Sequence, residues 1–348
     1  MFLTLSSIAV TRHKTRVAAP LLVFAMLMSF SVDADSDVGP ASDEISSSLP
    51  AVTSSTCGRG CRCSHNATVA NCSYANLVRV PPFPASTRVL VLDWNHIGRL
   101  GDRLSATPTS GPTSGSTSGS GSNGTTSSSL QMISVSYNNV SEIAGSALRG
   151  LSTLLHLRLD HNRIRRLPVA MFADTPSLGA LSLAGNHLLD MASFAAALTL
   201  TRLPLLRLLD LSNVATVAVD GRLPETVFSQ LPALQQLVLR DVTVANVSAE
   251  FFTALSGTSC LTTLDLGGSS IGEVNDSAFE PLAGSLEQLV LDRAIVSPRN
   301  LDAVFAGLST GSNTSHLLTL SLRNVFVEEA HTAAVGPHLF RHLSTTRS

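Results

Sequence analysis

The sequence is poor in charged and aromatic residues. Only 14% of the 348 residues are charged and 5% are aromatic, and the formal net charge is −2. A near-neutral chain gives no sign of the basic surface that nucleic-acid binding needs, so we expect no nucleic-acid partner. Because 44% of the residues are nevertheless hydrophobic, the chain can bury a large core, built from Leu, Val and Ala.

Catalytic motifs are absent as well. The sequence contains no Gly-rich phosphate loop, no His-Glu-x-x-His and no Gly-x-Ser-x-Gly. Five histidines are scattered over the chain between residues 65 and 187: His65, His96, His156, His161 and His187. Those beside a turn Asn are interpreted as exposed spacers rather than ligands. We therefore expect a non-enzyme with no cofactor and no metal site.

No apolar run reaches the length of a membrane span. The longest, residues 17–30, falls short of the roughly 20 residues that a spanning helix needs. Basic residues precede it and Val32-Asp33-Ala34 follows it, which is the order of a secretory signal peptide. We predict a signal peptide at residues 1–34, cleaved near Ala34, with a retained anchor as the alternative. Residues 35–56, rich in Asp, Ser and Pro, are predicted to be a flexible leader.

Seven Asn-x-Ser/Thr triplets accompany this segment and favour the secretory route. Each triplet alone is a weak signal for glycosylation. The predicted acceptors are Asn66, Asn71, Asn123, Asn139, Asn246, Asn275 and Asn313. Cys72 lies inside the triplet of Asn71, so early disulfide formation there would block the modification. The expected location is extracellular, either secreted or at the cell surface.

A repeat dominates the rest of the chain. Residues 154–168, LLHLRLDHNRIRRLP, place a Leu-x-Leu pair three residues before an Asn. Most steps between successive pairs fall in the 20–29 residue period of leucine-rich repeats. The nine pairs are Leu90/Leu92, Ile133/Val135, Leu157/Leu159, Leu181/Leu183, Leu209/Leu211, Leu237/Leu239, Leu264/Leu266, Leu289/Leu291 and Leu320/Leu322. Each pair predicts a short strand with its apolar side chains pointing inward.

The Asn after each strand can bond backbone groups that the following turn leaves unpaired. Asn95, Asn138, Asn162 and Asn186 hold this position, and from the fifth unit onward it is lost. We therefore expect the later turns to be less regular. On the opposite side, Phe-x-x-Leu segments predict short helical or 3₁₀ turns whose Phe is buried: Phe228, Phe252, Phe279, Phe305 and Phe340.

Four cysteines stand just before the first repeat. Cys57, Cys61, Cys63 and Cys72 form a Cys-x3-Cys-x-Cys-x8-Cys array, for which the sequence alone allows three disulfide pairings. A zinc site using these residues with His65 is the alternative, and the oxidising route disfavours it. A fifth cysteine, Cys260, precedes Leu261 and is predicted to be a buried, inert thiol, with pairing to another chain as the alternative.

The repeats and the cysteine array resemble the extracellular leucine-rich-repeat proteins, the family that contains Toll-like receptors, Slit proteins and small leucine-rich proteoglycans. The resemblance implies an α/β solenoid with parallel strands on a concave face and short helical segments and loops on the convex face. It also implies an N-terminal cap at residues 57–81, with Cys57 paired to Cys63 and Cys61 paired to Cys72. About nine repeats would fill residues 82–348.

Two features depart from that family. Residues 105–129 contain 21 Gly, Ser or Thr residues in 25, which predicts a mobile insertion from the outer side of the solenoid. Members of the family usually end with a second cysteine cap, and this sequence has none. A truncated sequence, a covering partner and an atypical polar end would each explain this, and we favour the first. Homo-association through an uncapped edge is a further expectation.

Recognition on the concave face is the predicted function. Outward-pointing charged residues on the strands make the predicted ligand site: Arg158, Asp160, Asp210, Arg240 and Asp265. With few aromatic residues on the face, we predict no aromatic hot spot. The expected partner is a protein, bound by a recognition module that could be a receptor ectodomain. A structural or adhesive matrix protein is the alternative.

Overall fold

The structure is a computed structural model. It describes residues 3–5, 58, 60–64, 66–101, 104, 129–187, 189–198, 203–214, 223–248, 250–255, 260–296, 298–309, 317–323 and 325–327. Several predicted features lie outside these residues: most of the signal peptide, the leader, Cys57, His65, residues 105–128, Asn123, Asn313 and Phe340. Their predictions therefore stay predictions, as does homo-association through the C-terminal edge.

One large sheet runs the length of the solenoid. It has eleven strands, of which only the first pair is antiparallel and the rest are parallel. Its members in chain order are β2 (Arg62–Cys63), β3 (Val69–Asn71), β4 (Val89–Val91), β6 (Met132–Ser134), β8 (His156–Arg158), β9 (Ala180–Ser182), β10 (Leu208–Asp210), β11 (Gln236–Val238), β13 (Thr263–Asp265), β15 (Gln288–Val290) and β16 (Thr319–Ser321).

The register of this sheet follows the predicted repeat. The first core residues of successive pairs lie side by side on neighbouring strands, from Leu90 beside Ile133 to Leu289 beside Leu320. Their side chains belong to one continuous buried cluster. Stacking is what buries them, because a single unit cannot cover its own apolar face. The predicted α/β leucine-rich-repeat solenoid is confirmed.

The first four repeats turn off the sheet on a buried Asn. The Oδ1 atom of Asn138 accepts a hydrogen bond from the Ile97 N–H at 3.0 Å, and its Nδ2 donates to the Leu92 carbonyl at 2.9 Å. Asn95, Asn162 and Asn186 make equivalent bonds to the coil before them. A net contribution of about 0.5–1.5 kcal/mol per bond makes this ladder a substantial part of the stacking energy.

The later repeats satisfy their turns in another way. Ser269 takes up part of the Asn role, because its Oγ donates to the Leu239 carbonyl and accepts from the Val242 N–H. The chain then forms a second parallel pair, β12 (Thr243–Val247) with β14 (Ser270–Val274). The sequence predicts less regular later turns, and in this region backbone hydrogen bonds between neighbouring coils take the place of the missing Asn. A shorter pair, β5 (Arg99–Leu100) with β7 (Glu142–Ile143), occurs near the first repeats.

Short helices and turns complete each coil. They are α1 (Met191–Leu198), α2 (Glu225–Phe228), 3₁₀ turns at Thr253–Leu255 and Glu280–Leu282, and α3 (Pro298–Ser309). The predicted Phe residues of this side are fully buried: Phe228, Phe252, Phe279 and Phe305. None of the helices in the described ranges has the length and apolar character that a membrane span requires.

A cysteine cap closes the N-terminal edge of the core. Cys61 is bonded to Cys72, the pair that the family resemblance implies, and Cys63 is also in a disulfide. Strand β3 in this cap pairs with β4 in register, so Ala70 lies beside Leu90 and extends the buried column. The cap therefore shields apolar side chains that the first repeat would otherwise expose.

Two observations differ from the sequence predictions. Cys260 is exposed, so the prediction of a buried thiol is wrong. The neighbouring Leu261 takes the buried position, and Cys260 lies in the turn before it. In addition, β1 (Leu3–Leu5) pairs antiparallel with β17 (Val325–Val327), although Leu3–Leu5 falls within the predicted signal peptide. Cleavage near Ala34 would remove this pair.

Candidate binding surface

The concave sheet presents two columns of outward-pointing side chains. One column comes from the residue between the two core residues of each Leu-x-Leu pair, and the other comes from the residue after the second core residue. Arg158, Asp210 and Asp265 lie in the column between the two core residues of each strand. Asp160 and Arg240 lie in the neighbouring column, just after the second core residue. The structure thus places all five predicted residues on the sheet side of the coils, but it divides them into two networks.

The first network is centred on Asp160. Its Oδ2 accepts hydrogen bonds from Arg158 Nε at 3.0 Å and from Ser136 Oγ at 2.9 Å, and its Oδ1 accepts one from Ser182 Oγ. Asp160 is only 4% exposed, so its carboxylate joins three coils. Arg158 keeps part of its surface in solvent. A ligand would meet Arg158, held in place by Asp160.

The second network joins the central repeats. Arg240 Nε donates to Asp265 Oδ2 at 2.8 Å, and the Arg240 backbone N–H donates to Ser212 Oγ. Asp210 accepts two hydrogen bonds from Ser212, one from its N–H and one from its hydroxyl. Burial raises the pKa of Asp210 above its usual range, although these hydrogen bonds oppose the change. Arg240 is the most exposed charge of this network.

Similar networks occur at both ends of the sheet, where the sequence analysis named no site residues. Asp93 Oδ1 accepts hydrogen bonds from Ser134 Oγ and from the Ser136 N–H, and burial raises the pKa of Asp93. Asp292 Oδ1 likewise accepts a bond from Ser321 Oγ. Both aspartates occupy the same repeat position as Asp160, and that shared position is the signal that could have identified them.

Four stacked rings lie along one edge of the concave face. We call this set, made of Tyr74, Trp94, Tyr137 and His161, the aromatic ladder. The centroids of neighbouring rings are 5.7, 4.0 and 4.3 Å apart, with interplanar angles of 13° or less. Tyr74, Trp94 and Tyr137 are 71%, 48% and 38% exposed.

The sequence predicts no aromatic hot spot on this face, and the aromatic ladder is a feature that the sequence analysis misses. The aromatic residues are few, but the repeat brings them to the same position. Trp94, Tyr137 and His161 each directly precede the recurring Asn of their turn. Aligning the repeats on that Asn would have revealed the column. The Leu-x-Leu spacing does not reveal this column, because the rings lie one residue beyond the two strand columns.

The predicted glycosylation residues that the structure describes all reach solvent. Asn66, Asn71, Asn139, Asn246 and Asn275 are exposed. Exposure is necessary for modification, and use of these residues stays a prediction. No cluster of three or more His, Cys, Asp or Glu residues suitable for a metal is found among the described residues. The described cap cysteines are in disulfides and so present no zinc-binding thiolates.

Comparisons with known proteins agree with this fold. The leucine rich repeat family matches residues 128–188. Tsukushi from Gallus gallus is 30% identical over 150 residues, covering 40% of this chain and 36% of Tsukushi. Toll-like receptor 9 from Equus caballus is 28% identical over 231 residues, covering 61% of this chain and 20% of the receptor. The chain therefore matches only part of each curated relative.

A solved structure extends the comparison. The crystal structure of human 5T4 (Wnt-activated inhibitory factor 1, Trophoblast glycoprotein) superposes with a TM-score of 0.57 at 21% identity, covering 73% of this chain and 87% of 5T4. The repeats, the disulfide cap and these similarities show a leucine-rich-repeat solenoid with an N-terminal disulfide cap, similar to leucine-rich-repeat proteins of the extracellular type. The leucine rich repeat match and these relatives support a non-enzymatic protein-interaction module.

Proposed function

We propose that the chain recognises a protein ligand outside the cell through its concave face. The observation that supports this most directly is the pair of partly exposed arginines, Arg158 and Arg240, each held by a carboxylate on the sheet. Arginines already fixed by hydrogen bonds lose little side-chain entropy when a ligand binds. In this proposal Arg158 and Arg240 contact the ligand, while Asp160, Asp210 and Asp265 orient them.

An extracellular location fits the chemistry of the cap. Disulfides form and persist in oxidising compartments, and the described cap cysteines are disulfide-bonded. The exposed sequon residues are compatible with the same route. The test is to express the full chain in animal cells and to digest the medium with an N-glycosidase. A secreted or surface product that shifts in mass supports the location, and an intracellular unmodified product contradicts it.

The ligand-binding proposal is tested with Arg158→Glu/Arg240→Glu. The full chain is screened against an array of purified extracellular domains, and each binding protein is then titrated against this variant. We expect at least a tenfold loss of affinity with normal secretion, because two oriented cations become anions. Arg99→Glu/Arg149→Glu, which changes the charge equally at exposed residues outside the large concave sheet, is the matched control. Equal loss in the control, or no loss in either variant, would contradict the proposal.

A further inference from the structure

The residues of the aromatic ladder adopt an unusual backbone conformation. Tyr74, Trp94, Tyr137 and His161 have φ between 49° and 58°, in the left-handed region that bulky side chains seldom adopt. Later repeats fill the equivalent position mainly with residues that tolerate this conformation: Asn213, Asp241 and Gly268. A bulky ring at this position carries a conformational cost that the Asn or Gly of another repeat avoids.

Stacking offsets part of that cost and holds the rings in place. The ladder ends at Gly185, where an added Cβ would lie 2.5 Å from the Nδ1 atom of His161, so His161 packs directly over that backbone. The ring faces are turned towards one another, which leaves the edges of Trp94 and Tyr137 and much of Tyr74 towards solvent. Rings held this way are ready to bind without further ordering, as are the aromatic anchors of many interfaces.

The exposed groups of the ladder attract acceptors and negative charge. Aromatic edges carry partial positive charge, and tyrosine hydroxyls and the indole N–H are hydrogen-bond donors. The residue that directly follows the recurring turn Asn is exposed and is an Arg or a His in three coils: His96, Arg163 and His187. Arg158, at the end of strand β8, adds a partly exposed cation close to His161 in the sequence, whereas Asp160 is buried and paired with Arg158.

The distribution of charge over the described residues supports the same polarity. Described residues 60–198 include nine arginines and five acidic residues, whereas described residues 203–323 include five arginines and eleven acidic residues. An acidic partner is therefore attracted to the coils that carry the ladder and repelled by the remainder. Few cations lie directly on the aromatic ladder, so ligand binding there would depend mainly on contacts with the rings and not on a dense cluster of basic residues. That balance favours a protein over a sulfated polysaccharide.

We propose that the aromatic ladder is the docking surface for an acidic segment of a protein ligand, with Trp94 and Tyr137 as its main contacts. The proposal rests on the protein-recognition function above. It assigns the strongest ligand contacts to the rings at the edge of the N-terminal coils, in addition to the arginines of the concave face. In this arrangement Arg158 and Arg163 would pair with carboxylates that flank the ring contacts.

The test uses Trp94→Asn/Tyr137→Asn, which places at both sites a residue that the later repeats already use. Neither substitution creates a glycosylation sequon. A displayed library of tryptophan-free peptides is selected on the intact wild-type protein, and the selected peptides are then titrated against this variant. Trp94 is the single Trp of the chain, so its fluorescence reports directly on peptide binding at the ladder. Val169→Ala, at another exposed apolar residue, is the matched control, and thermal unfolding verifies that each variant is folded.

We expect the selected peptides to be rich in Asp and Glu, to alter Trp94 emission, and to bind the ladder variant at least tenfold more weakly than Val169→Ala. Selection of basic or uncharged peptides, or equal binding to both variants, would overturn the proposal. So would heparin fragments that alter Trp94 emission while acidic peptides do not, or concentration-dependent self-association abolished by the ladder variant. A partner lost only in Arg158→Glu/Arg240→Glu would refute the ladder yet leave the recognition function standing.

Discussion

The two halves of the solenoid hold their coils together by different means. Residues 58–198 use a buried Asn in each turn, and the aromatic ladder stands beside it. Residues 203–323 lack that Asn and use Ser269 and the β12–β14 pair. The strand register is the same in both halves, so the core fixes the coil, whereas the turn can be stabilised by side chains or by backbone. The difference leaves the first half with the exposed rings and the second half with the acidic surface.

The largest effect should come from the feature that both halves share. Leu181→Asp and Leu264→Asp each place a charge at a fully buried position on the sheet. Lost burial and an unpaired charge should together cost about 4 kcal/mol or more in each half. Thermal unfolding and the secreted yield measure this. Leu205→Asp, at a residue 51% exposed, is the control and should be nearly neutral. A mild effect in only one half would show that its coils do not depend on the shared core.

Substitutions in the turns should lower the free energy of unfolding more in the first half than in the second. Asn162→Ala removes bonds to the Val135 carbonyl and the Val140 N–H and leaves both groups buried, whereas Ser269→Ala removes two bonds in a region that also has strand pairing. We expect a loss of about 2–3 kcal/mol for Asn162→Ala and about 1 kcal/mol for Ser269→Ala. Chemical denaturation of the two variants side by side gives the ratio. Equal losses of unfolding free energy in the two variants would mean that the β12–β14 pair does not stabilise the later turns.

A smaller change tests how the ladder ends. Gly185→Ala adds a Cβ against the His161 ring at a residue whose φ is 68°. We expect a loss of about 1–2 kcal/mol, because the backbone is strained and His161 must move. Gly150→Ala is the control, since its φ is 73° but nothing lies within 4 Å of the added Cβ. The excess loss at Gly185 measures the steric part, and Trp94 fluorescence reports whether the stack is disturbed.

The pH dependence should be similar in the two halves. Burial raises the folded-state pKa of both Asp93 and Asp210, so the folded protein binds these protons at higher pH than the unfolded chain does. These two groups therefore add stability as pH falls through their raised pKa values and remove it as pH rises towards neutrality. Asp210→Asn, which keeps an acceptor for Ser212, should raise the melting temperature slightly at pH 7. A lower melting temperature at pH 7 would contradict this assignment of the charge.

Most of the coil could be predicted from the sequence, and the site only in part. The Leu-x-Leu pairs and the ladder Asn act within one repeat or against an identical neighbour, so spacing alone is enough to find them. The sequence predicts that Asp160 lies on the concave side, but its burial depends on Ser136, Arg158 and Ser182 from three coils. Interactions of this kind become visible only when non-identical residues are compared down a column.

The errors have the same origin. The position of Cys260 next to Leu261 predicts burial, but adjacent residues in a turn can face opposite environments. The β12–β14 pair replaces a missing side chain with backbone hydrogen bonds, for which no residue type gives a signal. Trp94 and Tyr137 are 43 residues apart in the sequence, and only the stacking of coils brings their rings to 4.0 Å.

The disulfide cap also has a consequence for how the chain folds. Strand β3 in the cap already carries the register that β4 must adopt, with Val69 beside Val89 and Asn71 beside Val91. During synthesis the cap leaves the ribosome before any repeat, so it offers a finished template on which each new coil can settle in turn. Oxidation of Cys61 and Cys72 would thereby set the starting point and the direction of assembly.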